Sequence, residues 1–442
     1  MENEMIYLPE DFISEMEELL GSEIEDFKKS YESNKYVGLR RNCLKASKEV
    51  FEGNIPFKLE PVDWAAEGYY YDLNEHPGRT PLHEAGAFYI QEPSAMSAVA
   101  LLDPKPGDYV LDLCAAPGGK STQIAGRLQG EGLLVSNEIV KNRAGILSQN
   151  IERMGVRNAL VLNETAGSLS GRFLAFFDKI LVDAPCSGEG MFKKEENALL
   201  EWSLANVEMC HARQLEILEE AAKMLKAGGI LTYSTCTFNK LENEGTVEAF
   251  LKTHPEFTLE KTERFWPHKV KGEGHFVARF IKAGELSERT LPIKDIKKGK
   301  ADTKADLKTF LSNELGIIES TVSSLLDNRE LITFGDNLYL LPEGIADIKG
   351  LKVERPGLHV AVNKKNRFEP AHSLALALNP SDVKCSLELS DSDALKYIKG
   401  ETLNCDPSIK GWVLLTTRGF SIGFGKASQG IVKNHYPKGL RK

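Results

Sequence analysis

Two short apolar runs in the middle of the chain each deliver a cysteine, and that pairing limits the folds open to it. Ile180-Leu181-Val182 leads through Asp183-Ala184-Pro185 to Cys186, and residues 229–235 lead directly to Cys236. Runs of this length and composition read as buried strands of a parallel sheet. Residues just past such strands lie at the carboxyl edge, where open α/β sheets bind their ligands. The flanking sequence agrees. From Pro104 onward strand and helix alternate in α/β style. Strands are expected at 109–114, 133–136, 159–162, 179–182 and 230–234, with helices at 119–128 and 141–154 and a long one ending at 225. A helix at 243–252 and an edge strand at 276–281 complete this unit.

At 442 residues the chain exceeds one ordinary core. Residues 8–31 carry helical periodicity through Phe12, Met16, Leu19, Leu20 and Phe27, and an aromatic-rich, strand-like region runs on to about Tyr89. Residues 283–308 are highly charged and poor in large apolar side chains, as a linker would be. A helical segment at 306–315 and short strands with Gly and Asn turns follow, and the last 90 or so residues read as a small β-rich module. Four regions are expected: 1–90, 91–283, 284–345 and 346–442.

No apolar run approaches the ~20 residues that span a bilayer, and the acidic start Met1-Glu2-Asn3-Glu4 lacks the features of a signal peptide. Seven cysteines, scattered and without a CxxC pair, fit free thiols in a reducing cytoplasm better than a disulfide framework or a zinc site. The net charge of −9 is unevenly spread. Residues 1–34 hold eleven acidic and two basic side chains; Lys35, Arg40, Arg41 and Lys45 follow with no acid among them. Residues 410–442 hold seven Lys or Arg and no Asp or Glu. Locally basic surfaces of this kind bind phosphates on a molecule that is anionic overall.

Cys114-Ala115-Ala116-Pro117-Gly118-Gly119-Lys120 joins a strand to a helix. Two glycines let the backbone turn sharply and approach a ligand, and the amides of the following helix point toward it. The loop fits neither the GxxxxGK[ST] nor the GxGxxG pattern. Twenty residues beyond Gly118, at the end of the next strand, Glu138 is placed to bind the two ribose hydroxyls of an adenosine. Asp183, one strand over, faces the adenine edge or a substrate base, and Asn163-Glu164-Thr165 ends the third strand where adenine would rest.

Two thiols and a carboxylate beside a nucleoside site suit one demanding reaction. Carbon 5 of a pyrimidine is too weak a nucleophile to attack a methyl sulfonium. Addition of a thiolate to carbon 6 generates an enolate-like ring whose carbon 5 can attack, which is covalent catalysis. A hydrogen bond at N3 of cytosine stabilises the developing charge, and loss of the carbon 5 proton then releases the thiol. The nucleophilic thiol, with an ordinary pKa near 8.5, needs nearby amides or cations to ionise; Lys120, Lys193 and Lys194 are the candidates.

At these residues the chain resembles the Sun/Fmu family of S-adenosylmethionine-dependent RNA cytosine-C5 methyltransferases, relatives of the nucleolar p120 protein. The matching pieces are Gln91-Glu92-Pro93-Ser94-Ala95, the Cys114–Lys120 loop, Glu138, Asp183 to Gly190 and Ser234-Thr235-Cys236-Thr237. The resemblance implies a Rossmann-like, seven-stranded class I methyltransferase core. It implies Cys236 as nucleophile, Cys186 assisting product release, and Asp183 near the base. It also implies that Cys114, Ala115, Ala116, Pro117, Gly118, Gly119, Lys120, Glu138 and Asp183 contact S-adenosylmethionine. Where the family has an aspartate two residues after the asparagine of the third strand, this chain has Thr165, with Glu164 as its possible substitute. The C-terminal extension, through residues 411–415 and 434–441, resembles the bacterial subgroup acting on 16S ribosomal RNA, the RsmF type. That implies an N-terminal RNA-binding region, a C-terminal β-rich PUA-like domain, and a cytoplasmic monomer that meets RNA, as free 16S rRNA or a 30S particle, without metal or membrane. A transfer-RNA methyltransferase, a small-molecule methyltransferase and a non-catalytic RNA-binding assembly factor are the competing readings.

Overall fold

The structure, a computed structural model, describes residues 7–32, 35–285, 301–345, 348–365 and 367–442. Its centre is an eight-stranded sheet. In chain order the strands are β1 (Tyr109–Asp112), β2 (Leu133–Asn137), β3 (Ala159–Leu162), β4 (Phe177–Asp183), β5 (Leu225–Thr235), β6 (Phe257–Phe265), β7 (His275–Lys282) and β8 (Val353–Arg355). They lie in the order β6-β7-β5-β4-β1-β2-β3-β8. Strands β1 to β5 pair in parallel, whereas β6, β7 and β8 run antiparallel to their neighbours. The order reverses between β1 and β4, so the loops after these two strands flank the crevice where such sheets bind ligands.

Why these segments form this sheet follows from burial on both faces. Every residue of β2 and β3 is buried, as central parallel strands require. Alternate residues divide between two apolar clusters, the period-2 signature of a strand. Leu111, Val135, Leu160, Ile180 and Val182 join Leu218 and Ala221 from one helix, Leu204–Met224. Val110, Leu134, Val161 and Leu181 join Ile124, Leu128, Leu147 and Ile151 from α1 (Gly119–Leu128) and α2 (Lys141–Arg153). At roughly 1.5–3 kcal/mol for each fully buried large apolar side chain, these layers hold the carboxyl edge rigid.

Three expectations change. The strand expected at 276–281 as an edge is β7 and lies inside the sheet, between β5 and β6. The edge is β6, whose middle residues face solvent and whose charged sequence carries no apolar run. The sheet also has an eighth strand, β8, drawn from the C-terminal half; it covers the otherwise open edge of β3, and open edges invite unwanted pairing. Finally, the boundary expected at 345/346 runs through a four-stranded sheet built from Leu331–Phe334, Asn337–Leu340, Leu358–Lys364 and Arg367–Pro370. Residues 286–300 of the expected linker, and residues 1–6, lie outside the described residues; the end of that linker is helical, Ala301–Thr309.

The N-terminal region is an antiparallel sheet of Leu59–Val62, Ala65–Tyr71, Gly38–Arg41 and Phe88–Ile90. Ahead of it, helices Glu10–Leu20 and Ile24–Ser30 press Phe12 and Phe27 against Phe192, Trp202 and Phe238. Those partners belong to the loops that follow β4 and β5. The C-terminal module is a five-stranded sheet spanning residues 386–434. It shares one apolar cluster with the N-terminal sheet, joining Leu39 and Phe88 to Val413 and Ile422. The Tyr436 hydroxyl donates to Glu84 at 3.2 Å, and the Lys442 ammonium lies 2.5 Å from the same carboxylate.

The basic residues of the N-terminal sheet do not form the phosphate-binding surface expected of them. Arg40 is buried and donates to the Gly119 carbonyl (3.0 Å), Thr122 Oγ1 (2.7 Å) and Gln91 Oε1 (3.0 Å). Arg41 donates to the Ala46 carbonyl and Lys45 to the Ala85 carbonyl. Burial, aided by Arg153 and Arg157, lowers the Lys45 ammonium to about 7. Arg40 thus braces the glycine loop.

Candidate active site

The loops after β1, β2, β3, β4 and β5 enclose a cavity of about 1030 Å³, large enough for a nucleoside-sized ligand and more. Cys114, Ala116, Glu138, Thr165, Asp183, Cys186 and Cys236 all line it. Ala115, Pro117, Gly118, Gly119 and Lys120 do not line it. Ala115 N–H donates to the Asn137 carbonyl at 2.8 Å, and the Pro117 carbonyl accepts from Asn150 at 2.8 Å. Gly118 precedes α1 with φ +112°, where a Cβ would stand 3.1 Å from Leu147 Cδ1. Only glycine accommodates that turn easily.

The two cysteine loops are stitched to each other. The sulfurs of Cys186 and Cys236 lie 3.4 Å apart. Ala184 N–H donates to the Ser234 carbonyl (2.9 Å) and Gly190 N–H to the Cys236 carbonyl (2.8 Å), and the Ser187 and Thr237 hydroxyls meet at 2.8 Å. Glu189 accepts from Trp202 Nε1 (3.0 Å) and Phe238 N–H (2.8 Å). Burial pushes its carboxyl up to about 7. A hydrogen bond shared with Cys236, together with burial, pushes the Cys186 thiol well above its ordinary range.

Beside them is a charged pair. Lys120 Nζ lies 2.7 Å from Asp183 Oδ2, and the Ser234 hydroxyl donates to Asp183 Oδ1 at 2.8 Å. Burial works against ionisation of Asp183, but Lys120 and His275 outweigh it and hold the carboxyl below its usual value. Burial likewise opposes the Lys120 charge, and Asp183 and Cys236 more than restore it. Of the lysines considered for activating a thiol, Lys120 is therefore the one electrostatically linked to Cys236. Lys193 instead donates to the Ser30 carbonyl at 3.0 Å and lies 3.5 Å from Glu273. Burial pushes the Cys114 thiol strongly upward, with Asp112 and Asp183 adding to it, so Cys114 stays neutral.

Glu138 is 4 % exposed, and its Oε1 accepts from Val140 N–H at 2.8 Å. Its other oxygen lies 3.5 Å from Arg143. At the third strand the side chains divide their tasks. Thr165 caps the short helix Ala166–Ser170 through Ser168 N–H at 3.2 Å. Glu164 is buried and accepts Lys352 N–H at 2.7 Å, and its own N–H donates to Asn137 Oδ1 at 3.0 Å.

Two residues of this neighbourhood escaped the sequence reading. Glu242 is buried and accepts Ser187 N–H (3.0 Å) and Gln214 Nε2 (2.8 Å), fixing the loop that bears Cys186. It falls in a single turn of wide helix, Leu241–Gly245, that no local pattern announces. His275 is buried with Nε2 unpartnered and 3.8 Å from Asp183 Oδ1; burial, then Lys120, lowers it to about 4. Its position at the start of an antiparallel strand gave no signal. Among the described residues no group of three or more His, Cys, Asp or Glu is arranged to hold a metal ion.

Similarity to known proteins extends over nearly the whole chain. Residues 99–281 match the family of 16S rRNA methyltransferase RsmB/F. Residues 8–93 match the N-terminal domain of 16S rRNA methyltransferase RsmF, 317–378 its first C-terminal domain, and 384–442 its PUA domain. Ribosomal RNA small subunit methyltransferase F of Vibrio vulnificus is 33 % identical over 98 % of both chains. The protein of the same name from Shewanella oneidensis is 32 % identical over 91 % of this chain and 90 % of its own. Among solved structures, a methyltransferase homolog protein from Pyrococcus horikoshii aligns with TM-score 0.57 and 28 % identity, covering 63 % of this chain and 96 % of that one. NSun6 from the same organism, solved with SFG, shares the fold at TM-score 0.57 and 24 % identity, covering 64 % and 100 %. With a methyltransferase core, an N-terminal domain and a C-terminal PUA domain all matched in order, the chain belongs to the RsmF family of ribosomal RNA small subunit methyltransferases.

Proposed function

We propose that this chain methylates carbon 5 of a cytosine in 16S ribosomal RNA with S-adenosylmethionine as methyl donor. The observation that carries the reading is the 3.4 Å approach of the Cys186 and Cys236 sulfurs, on the wall of a cavity that also presents Asp183 and Glu138. Easier acceptors such as amines need no paired thiols.

The residues present fit the cofactor. Glu138 keeps lone pairs for two ribose hydroxyls beside its single backbone bond, and the turn at Gly118 and Gly119 leaves no Cβ in the way. Cys114, Ala116, Glu164 and Thr165 all line the cavity; the first two would give the cofactor an apolar wall, and Thr165 or Glu164 would meet its adenine. When bound, S-adenosylmethionine supplies an electrophilic methyl group.

The chain's own groups then do the following. Cys236, which interacts electrostatically with the Lys120 ammonium, acts as the thiolate and forms a bond to carbon 6; the ring electron pair moves toward carbon 5 and N3. The Asp183 carboxylate accepts from the N4 amino group, as carboxylates do at cytosine, and Lys120 offers the donor that the ring needs as charge develops. After methylation, loss of the carbon 5 proton to a base re-forms the ring double bond and expels the Cys236 sulfur. The Cys186 thiol, which retains its proton beside Cys236, donates a hydrogen bond to that departing sulfur. The target base must leave its stack to reach both thiols.

The test is transfer of tritiated methyl from S-adenosylmethionine to small-subunit RNA, followed by bisulfite sequencing of that RNA. A single protected cytosine, or a small set, is the expected outcome. Label incorporated without bisulfite protection would refute carbon 5 chemistry while leaving RNA methylation intact.

A further inference from the structure

The N-terminal sheet carries a second recess that this chemistry does not use. It has a volume of about 330 Å³, and Lys35, Tyr36, Tyr70, Tyr71 and Lys271 line it together with the carboxylates of Glu60 and Asp72. The rings of Tyr36 and Tyr70 meet edge to face with centroids 6.5 Å apart. The Lys271 ammonium lies 5.4 Å from the Tyr70 centroid and 2.5 Å from Glu60. All three tyrosines are half-buried, and both lysines are exposed.

Three phenol rings and two ammonium groups around an open recess have the chemistry that receives a nucleobase. Every base has a flat π face to stack on an aromatic ring, and nearby cations meet the phosphates on either side. The Glu60 carboxylate adds an acceptor for an exocyclic amino group. Unlike Arg40, Arg41 and Lys45, which bond internal carbonyls, Lys35 and Lys271 face solvent.

A short stretch of chain links the recess to the loop that carries Cys236. Lys271 is three residues before Gly274, and an extended chain covers at most ~3.3–3.6 Å per residue, so at most about 11 Å of backbone separates them. A Cβ built on Gly190 would stand 3.1 Å from the Gly274 carbonyl oxygen and 2.9 Å from that of Cys236. One loop therefore connects the Tyr70 ring to the backbone of the Cys236 loop.

We propose that this recess binds an unpaired base of the substrate RNA a few nucleotides from the target cytosine. The base stacks on Tyr36 and Tyr70, with its flanking phosphates toward Lys35 and Lys271. The proposal rests on RNA being the substrate.

The experiment compares full-length wild type with a Tyr36→Ala/Tyr70→Ala variant, binding a mixed-sequence single-stranded RNA oligonucleotide and a duplex of the same sequence. Cofactor affinity and thermal midpoint are followed alongside. Loss of one stacked base weakens single-strand binding roughly 5- to 150-fold, with duplex and cofactor binding unchanged. Tyr36→Phe/Tyr70→Phe retains binding, because stacking uses the ring and not the hydroxyl. If the double alanine variant fails to fold, Tyr36→Ala alone carries the same expectation. Equal single-strand affinity for wild type and the folded alanine variant overturns the recess while leaving the RNA reading standing. Wild type that bound neither RNA would overturn both.

Discussion

Glu164 accepts the backbone N–H of Lys352 at 2.7 Å, a bond between residues 188 apart in sequence. It fixes the end of β3, at the cavity wall, to the start of β8. Asn163 N–H donates to the Lys352 carbonyl (2.9 Å), and Lys141 pairs with Glu354 (2.7 Å). The C-terminal half is thus built into the edge of the methyltransferase sheet. Glu164→Ala removes the charged acceptor of the Lys352 N–H, a part-buried bond of a kind that contributes about 1.5–3 kcal/mol. The measurement is hydrogen exchange across residues 351–355 together with urea denaturation. Faster exchange there with lowered stability is expected; unchanged exchange would mean the bond does not anchor β8.

Glu138→Ala separates binding from folding. A charged acceptor that holds the ribose hydroxyls contributes about 1.5–3 kcal/mol, which corresponds to a dissociation constant for S-adenosylmethionine roughly 10- to 150-fold higher. Calorimetric titration reads it. An unchanged constant would remove Glu138 from the cofactor site.

Asp112 predicts a pH dependence. It is fully buried, its Oδ2 accepts from Ser121 at 2.7 Å, and its Oδ1 has no partner. Burial, only partly offset by the Ser121 bond, raises its carboxyl from 3.8 to about 7. A raised folded-state pKa means the folded chain holds the proton more tightly. The associated stability is full below about pH 4 and is lost as pH rises through about 7. Asp112→Asn has no proton to lose. Its stability relative to wild type therefore increases between pH 4 and pH 8, read as the difference in thermal midpoints. A difference that stayed flat over that range would contradict a protonated Asp112.

How much was legible in the sequence follows the same physics. Strands β2 and β3 are apolar throughout because both faces are covered, so a short Leu- and Val-rich run marks them. The turn at Gly118 and the carboxylate of Glu138 are local to single loops, and their spacing carries the meaning. Strand β6 left no trace because its middle residues, from Thr258 to Thr262, face water. Strand β8 has three residues and exists because β3 needs a partner. Arg40 and Lys45 read as surface charges, yet each ends on a carbonyl brought near only by tertiary folding. Glu242 escaped for the same reason: its partners, Ser187 and Gln214, are distant in sequence.

Of the seven C-terminal cations, Lys426 lies over the Trp412 ring and Arg441 donates to the Tyr436 carbonyl; the other five divide into two groups. Arg418 pairs with Asp391 at 2.7 Å and Lys442 with Glu84 at 2.5 Å. Lys410, Lys433 and Lys438 are exposed and make no ion pair among the described residues. Replacing these three by alanine should weaken RNA binding and flatten its dependence on salt, by about two in the log–log slope for single strands. Lys442→Ala should change stability and leave the slope alone. A triple variant with the wild-type slope would exclude this face from the RNA interface.

The last prediction assigns the two thiols to opposite ends of the catalytic cycle. Their sulfurs lie 3.4 Å apart, and Cys186 is the one whose proton is held. Cys236→Ala should bind RNA without becoming covalently attached, because it lacks the sulfur proposed to add to carbon 6. Cys186→Ala keeps that sulfur and the Lys120 ammonium that interacts with it, so addition and methyl transfer proceed. It lacks the donor that eases departure of the Cys236 sulfur, so the protein should accumulate as an RNA conjugate that survives denaturing electrophoresis. Thermal midpoints near wild type for both variants are the control that the loops still fold. A conjugate from Cys236→Ala and none from Cys186→Ala would reverse the assignment. Absence of a conjugate from both, with methyl transfer intact in Cys186→Ala, would mean that release does not depend on the second thiol.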